Sequence, residues 1–257
     1  MITNYIRPKT IEELKIILSG KDIAPLFLSG GFYHNLADAG EKIAIDLQLL
    51  NFREIKVSTD LTEIGGAVSL QSISDQMVSS PGIKDAILLE GGRNIRNTLS
   101  LHTFLQDCKG RSALACVLSA MDARLELCPS NSVISMEEYF NTRYSVNSRE
   151  FVSKLSLRGS PGLAFHSIAR TPQDQPIICA ALANWNKPRL RMVLGGFGDQ
   201  PTLVYEGLDQ VQLIKALDIL RGNLGDEWAS DEYRINMALL LVKRCFQDLD
   251  MRIDEEG

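Results

Sequence analysis

The chain has 257 residues, 45% hydrophobic and 23% charged, the balance of an ordinary folded protein and not of a disordered or fibrous one. A net charge of −5 argues against a nucleic-acid surface, and no segment approaches the roughly 18 apolar residues of a membrane span. Residues 1–8 lack the apolar core of a signal peptide, so a cytoplasmic protein is expected.

Residues 8–18 read as a short helix, with Thr10 as N-cap and Glu12 and Glu13 in the first turn, where the dipole favours them. Residues 24–28 form a compact apolar strand that ends at Ser29-Gly30-Gly31, and residues 43–47 form a second. A strand, a glycine turn with a possible helix, and another strand predict a small parallel unit. The pattern then changes. Residues 53–58 and 62–64 read as two strands joined at Thr59-Asp60, and Ser69 can cap a helix reaching 77–79. Pro81-Gly82 breaks that helix, residues 83–89 start another, and Gly91-Gly92 closes it. Residues 114–120 predict a buried helix and residues 123–127 an alternating strand, followed by a short helix over 136–140 capped by Ser135.

Residues 151–157 alternate as a strand, and Pro161-Gly162 marks a turn. Residues 175–185 are apolar and alanine-rich; helix and strand both fit, and helix is the expectation. Residues 189–194 alternate before Gly195-Gly196-Phe197-Gly198. Residues 211–220 are amphipathic, and residues 230–246 predict a longer helix starting at Ser230 or Asp231.

Cys108, Cys116, Cys128, Cys179 and Cys245 include no C-x-x-C pair, and none of His34, His102 and His166 stands four residues from another. Reduced, buried thiols are expected, and no metal site. G-x-S-x-G, H-E-x-x-H and G-x-G-x-x-G are all absent, so no nucleophile or dinucleotide fingerprint stands out. Two segments can carry chemistry. Ser29-Gly30-Gly31-Phe32-Tyr33 follows a buried strand, and its paired glycines let backbone amides approach a phosphate. A tight turn needing positive φ is the plainer alternative. In the segment from Gly91 to Phe104, Arg96 can pair a carboxylate or phosphate bidentately, and Asn97 can close an Asx-turn. A structural arginine and a plain Asx-turn explain the same residues. Asp231-Glu232-Tyr233-Arg234 reads as a charged helix face.

Taken in order, these segments resemble the FAD-binding (medium) subunit of the molybdenum hydroxylases, the xanthine dehydrogenase and carbon monoxide dehydrogenase type. Ser29-Gly30-Gly31 falls at that family's Ala-Gly-Gly turn, Asp46-Leu47 at its Asp-Leu strand end, and Asn94-Ile95-Arg96-Asn97 at its Gln-Ile-Arg-Asn. Met121-Asp122-Ala123 is similar to its Leu-Asp-Ala, and Glu137-Glu138-Tyr139-Phe140 to its Asp-Phe-Phe region. Gly195-Gly196-Phe197-Gly198 and Ala229-Ser230-Asp231-Glu232-Tyr233-Arg234 are similar to its C-terminal domain. The likeness implies an α+β fold in which residues 1–160 form a two-subdomain FAD-binding domain, with subdomains of about 1–52 and 53–160. Residues 161–257 would then form a C-terminal domain of antiparallel strands and helices. It also implies electron transfer, with FAD taking electrons from an iron–sulfur subunit while a molybdenum-cofactor subunit hydroxylates the substrate.

The resemblance assigns Ser29, Gly30, Gly31, Phe32 and Tyr33 to a first phosphate turn, and Arg96, Asn97, Ser100 and His102 to a second. It breaks at one place. Where the family has Thr-Ile-Gly-Gly-Asn, with amides that hold the FAD diphosphate, this chain has Ser100-Leu101-His102-Thr103-Phe104. A β-branched Thr103 tolerates positive φ poorly, so that turn must take another shape or lose its close approach to phosphate. Each amide–phosphate bond lost removes about 1.5–3 kcal/mol, which Lys109, Arg111 or a protonated His102 can offset only in part. Two functional expectations follow: an FAD-binding electron-transfer subunit with an altered diphosphate turn, or a flavin-free homologue that keeps the fold as a structural or assembly subunit. In the second, His102 and Phe104 fill the vacated cleft. An unrelated soluble α+β protein is the third.

Overall fold

The computed structural model describes residues 2–20, 24–29, 41–77, 80–143, 149–172, 174–185, 189–208 and 227–251. Gly30, Gly31, Phe32 and Tyr33 of the first glycine turn, and the amphipathic stretch 211–220, lie outside the described residues. The chain forms two compact units. The first comprises Met1–Gln76, Gly92–Asp107 and Arg124–Leu157; the second comprises Met77–Gly91, Cys108–Ala123 and Arg158–Gly257.

The first unit opens with a parallel sheet that contains the two expected strands and adds a third. Strands β1 (Ile2–Ile6), β3 (Lys42–Asp46) and β2 (Pro25–Leu28) lie side by side in that order, and both pairings with β3 are parallel. Helix α1 (Ile11–Ser19) begins where predicted, because Thr10 Oγ1 accepts the Glu13 amide at 3.1 Å. Its Leu14 and Leu18 pack on Phe27 and Ile45 in one apolar cluster with Phe52, Ala67 and Phe151. Asp46, at the end of β3, is held by the Tyr5 hydroxyl at 2.5 Å and the Gln48 amide at 2.9 Å.

A five-stranded sheet follows, ordered β4 (Ile55–Val57), β5 (Leu61–Gly65), β8 (Phe151–Arg158), β6 (Arg124–Cys128) and β7 (Val133–Ser135). Lys154 on central β8 bridges Glu63 on β5 at 2.9 Å and Glu126 on β6 at 3.0 Å. Helices α2 (Leu70–Gln76), α4 (Arg93–Thr98), α5 (Leu101–Asp107) and α7 (Met136–Thr142) complete the unit. Arg93–Thr98 and Leu101–Asp107 are thus two short helices, and Asn97 lies within the first instead of closing an Asx-turn.

The second unit holds an antiparallel sheet of β12 (Thr202–Gly207), β11 (Arg189–Gly195), β10 (Ile178–Trp185) and β9 (Gly162–Ile168), in that order. Residues 178–185 are a strand, which corrects the helical expectation. Ile178, Ala180 and Leu182 pack on Ala238, Leu241, Cys245 and Phe246 of helix α8 (Asp231–Asp248), with Ser230 Oγ accepting the Tyr233 amide as its cap. The opposite face meets helix α6 (Ala113–Ala120), and α3 (Pro81–Leu88) packs on α6 and β9. A strand covered on both faces is apolar at successive positions, so it loses the period-two signature that would have marked it. Arg234 is fully buried and donates through Nη1 to the Ile177 and Gly196 carbonyls, tying α8 to the glycine segment after β11.

Candidate cofactor site

Ser29 ends β2 and is buried. Its hydroxyl meets Ser100 Oγ at 2.5 Å, and both approach Thr103 Oγ1, at 3.5 and 3.1 Å. This trio joins the strand that leads into the first glycine turn to the segment that replaces the second. Beside it lies a polar cleft of about 320 Å³ lined by Ser29, Arg53, Ser69, Ser72, Gln76, Asn97, Thr98 and Ser100 over a floor of Ala67 and Val68. Three of the residues expected from the sequence, Ser29, Asn97 and Ser100, thus converge on one surface within the first unit.

Two others face elsewhere. Arg96 is buried on α4 and donates through Nε to Gln71 Oε1 at 3.0 Å; Gln71 in turn donates to Asp75 at 2.8 Å. These contacts lock α4 onto α2. His102 is fully buried on α5. Its ring centroid lies 4.3 Å from that of Phe151 and 5.4 Å from that of Phe27, edge-on to the latter. Nδ1 accepts the Val152 amide hydrogen at 3.1 Å, so that nitrogen carries no proton and the ring is not the cation imagined beside a phosphate.

The amides of the second segment are spent inside the chain. Ser69 and Ser100 form an antiparallel bridge, and the Leu101 and His102 amides donate to the Val68 and Gly66 carbonyls, each at 2.8 Å. The Thr103 amide donates to Ser100 Oγ at 3.3 Å and the Phe104 amide to the Ser100 carbonyl at 2.9 Å. None of residues 100–104 has positive φ. The backbone here does not fit a diphosphate in the way that a glycine turn does. The neighbouring cleft does offer donors. Sequence reasoning missed Arg53, Ser69, Ser72 and Gln76, because only the folded chain brings them to one cleft.

Residues 1–157 match the family described as the FAD binding domain in molybdopterin dehydrogenase. The chain belongs to that family. The uncharacterized protein YgfM of Escherichia coli K12 is 23% identical over 208 residues, 80% of this chain and 79% of that protein. Among solved structures, reconstituted CO dehydrogenase from Oligotropha carboxidovorans superposes with a TM-score of 0.76 at 19% identity, covering 95% of this chain and 96% of that one. A carbon monoxide dehydrogenase from Hydrogenophaga pseudoflava gives 0.77 at 16% identity over 95% and 96%. Quinoline 2-oxidoreductase from Pseudomonas putida 86 gives 0.74 at 15% over 96% of each chain. At these identities the structural likenesses establish the mixed helix-and-sheet fold. Among the described residues no helix is long and apolar enough to cross a membrane, and no group of three or more His, Cys, Asp or Glu could hold a metal ion.

Proposed function

We propose that this chain is the flavin subunit of a molybdenum hydroxylase-type oxidoreductase. In this role it docks with an iron–sulfur subunit and a molybdenum-cofactor subunit in the cytoplasm and passes electrons from the clusters to an external acceptor. FAD supplies the redox chemistry when bound, and the chain supplies position and electrostatics. The observation that carries the proposal is the convergence of Ser29, Asn97 and Ser100, which flank the family's two cofactor turns, on one polar cleft. Ser29 leads into the first turn, where Gly30, Gly31, Phe32 and Tyr33 would meet the diphosphate. Arg96 and His102 serve as supports that hold α4 and α5.

The spent amides of residues 101–104 favour a second reading, in which the chain is a flavin-free structural or assembly subunit of such a complex. Two lost amide contacts would weaken phosphate binding by about 3–6 kcal/mol, comparable to what one well-placed guanidinium can restore. A visible spectrum of the purified full chain, followed by titration with FAD, separates the two. Flavin absorbance and one-to-one uptake are expected for the flavin subunit. A colourless protein that takes up no FAD overturns that proposal and leaves the structural role.

A further inference from the structure

We propose that Arg53, with Asn97 and Gln76, forms a side-chain grip for the diphosphate of a nucleotide, which does the work of the spent amides at 101–104. The identity of that nucleotide as FAD rests on the function proposed above; the grip itself rests on the cleft.

These three residues stand apart from the rest of the lining by their hydrogen bonding. All three line the cleft, and none of their side chains has a partner among the described residues. Between them they present a guanidinium fork and two carboxamide N–H₂ groups, which is donor chemistry suited to phosphate oxygens. Other lining groups are already committed. The Thr98 hydroxyl donates to the Asn94 and Ile95 carbonyls at 3.3 and 3.0 Å. Ser29 and Ser100 bond each other and Thr103. The Ser69 and Ser72 hydroxyls share one hydrogen bond at 2.9 Å, and Ser69 Oγ also accepts the Ser72 amide at 3.1 Å, which leaves one hydroxyl hydrogen of that pair to point outward.

Charge points the same way. Among the described residues the cleft lining contains one arginine and no carboxylate, in a chain whose net charge is −5. An anion would therefore meet a local positive potential against an acidic background. Another cleft of the first unit is a useful contrast. It holds Lys56 and Lys154, but Lys154 is paired with Glu63 and Glu126, and Lys56 with Glu54 at 3.2 Å. Its cations are neutralised internally. Among the described residues Arg53 has no such acid, so its charge is available to a ligand.

The test is calorimetry on the full chain, stripped of any flavin, with three probes: inorganic pyrophosphate, ADP and FAD. Each probe is titrated into the native chain, Arg53→Ala, Arg53→Lys and Asn97→Ala. Arg53 is exposed, so the variants should keep the native circular dichroism melt, which is checked first. ADP affinity is expected to fall at least about tenfold in Arg53→Ala and a few-fold in Asn97→Ala. Lysine should restore only part, because a point charge lacks the fork. If FAD binds the native chain and Arg53→Ala equally, the grip is overturned and the flavin role stands. If ADP and pyrophosphate bind and are lost in Arg53→Ala while FAD does not bind, the grip stands and the flavin role falls. If no probe binds the native chain, both fall.

Discussion

His102 accepts the Val152 amide hydrogen across 3.1 Å, and this bond sets what stands at the family's second cofactor turn. A glycine there would leave room for phosphate; the imidazole instead completes an aromatic cluster with Phe27 and Phe151. His102→Ala would leave the Val152 N–H without that acceptor and open a cavity between two rings. The expected cost is about 2–4 kcal/mol, read as a drop in the urea midpoint. A change under about 0.5 kcal/mol would show that the imidazole contributes no packing.

Gly66 should tolerate no side chain. Its amide donates to the Ser153 carbonyl at 2.9 Å, and its carbonyl accepts the His102 amide at 2.8 Å. An added Cβ would sit 1.7 Å from the Val152 carbonyl oxygen, which is backbone and cannot rotate away. Gly66→Ala is expected to cost more than about 3 kcal/mol or to give insoluble protein. Gly92→Ala is the control, since a Cβ there meets nothing within 4 Å. Gly92 caps α4 without a side-chain bond, so its replacement should stay within about 1 kcal/mol. Equal melting temperatures for the two variants would refute the steric account.

Glu90 should make the second unit sensitive to pH. Its carboxylate accepts the Ser112 hydroxyl and the Leu114 amide, each at 2.8 Å, at the start of α6. Burial nevertheless pushes its pKa up to about 7. A carboxyl that holds its proton more tightly when folded adds stability below its unfolded pKa and loses it as pH rises through the folded value. The window therefore runs from about pH 4.5 to about 7. Glu90 keeps part of its surface in solvent, so a discounted loss of about 1–2 kcal/mol across that window is expected. Urea unfolding of the native chain and Glu90→Gln at pH 5 and pH 8 checks it. If the difference between the two proteins does not change between those pH values, Glu90 is not the group.

The thiols should be silent in the native state. All five cysteines are free and buried. Burial pushes Cys128 up to about 11 and Cys245 up to about 12, and burial together with the neighbouring Cys179 raises Cys116 well above the ordinary thiol value. A thiol reagent at pH 8 should label none of them within minutes, and all five after denaturation. Fast labelling of any one would mean that its surroundings open readily.

Much of the fold was legible because its signals are local. Thr10, Ser135 and Ser230 cap the helices that their positions predict, each accepting the amide three residues on. The parallel pair β2–β3 followed from two apolar runs around a glycine turn. Strand β1 was missed because it is an exposed edge strand without apolar alternation. Helix α5 carried a signal that went unused: Leu101, Phe104 and Leu105 are all buried at helical spacing, while the family turn pointed to a loop. Strand β10 was ambiguous because both of its faces are covered.

Residue order alone determined the ancestry, the reduced thiols and the loss of two glycines, since each is a property of which side chains occur and where. Only the tertiary structure decided what became of the second turn. The Leu101 and His102 amides find their acceptors at Val68 and Gly66, and Arg53 comes to share a cleft with Asn97. Those partners are distant in the chain, and no local spacing encodes them; long-range hydrogen bonds and unspent charges exist only once the backbone has closed around them.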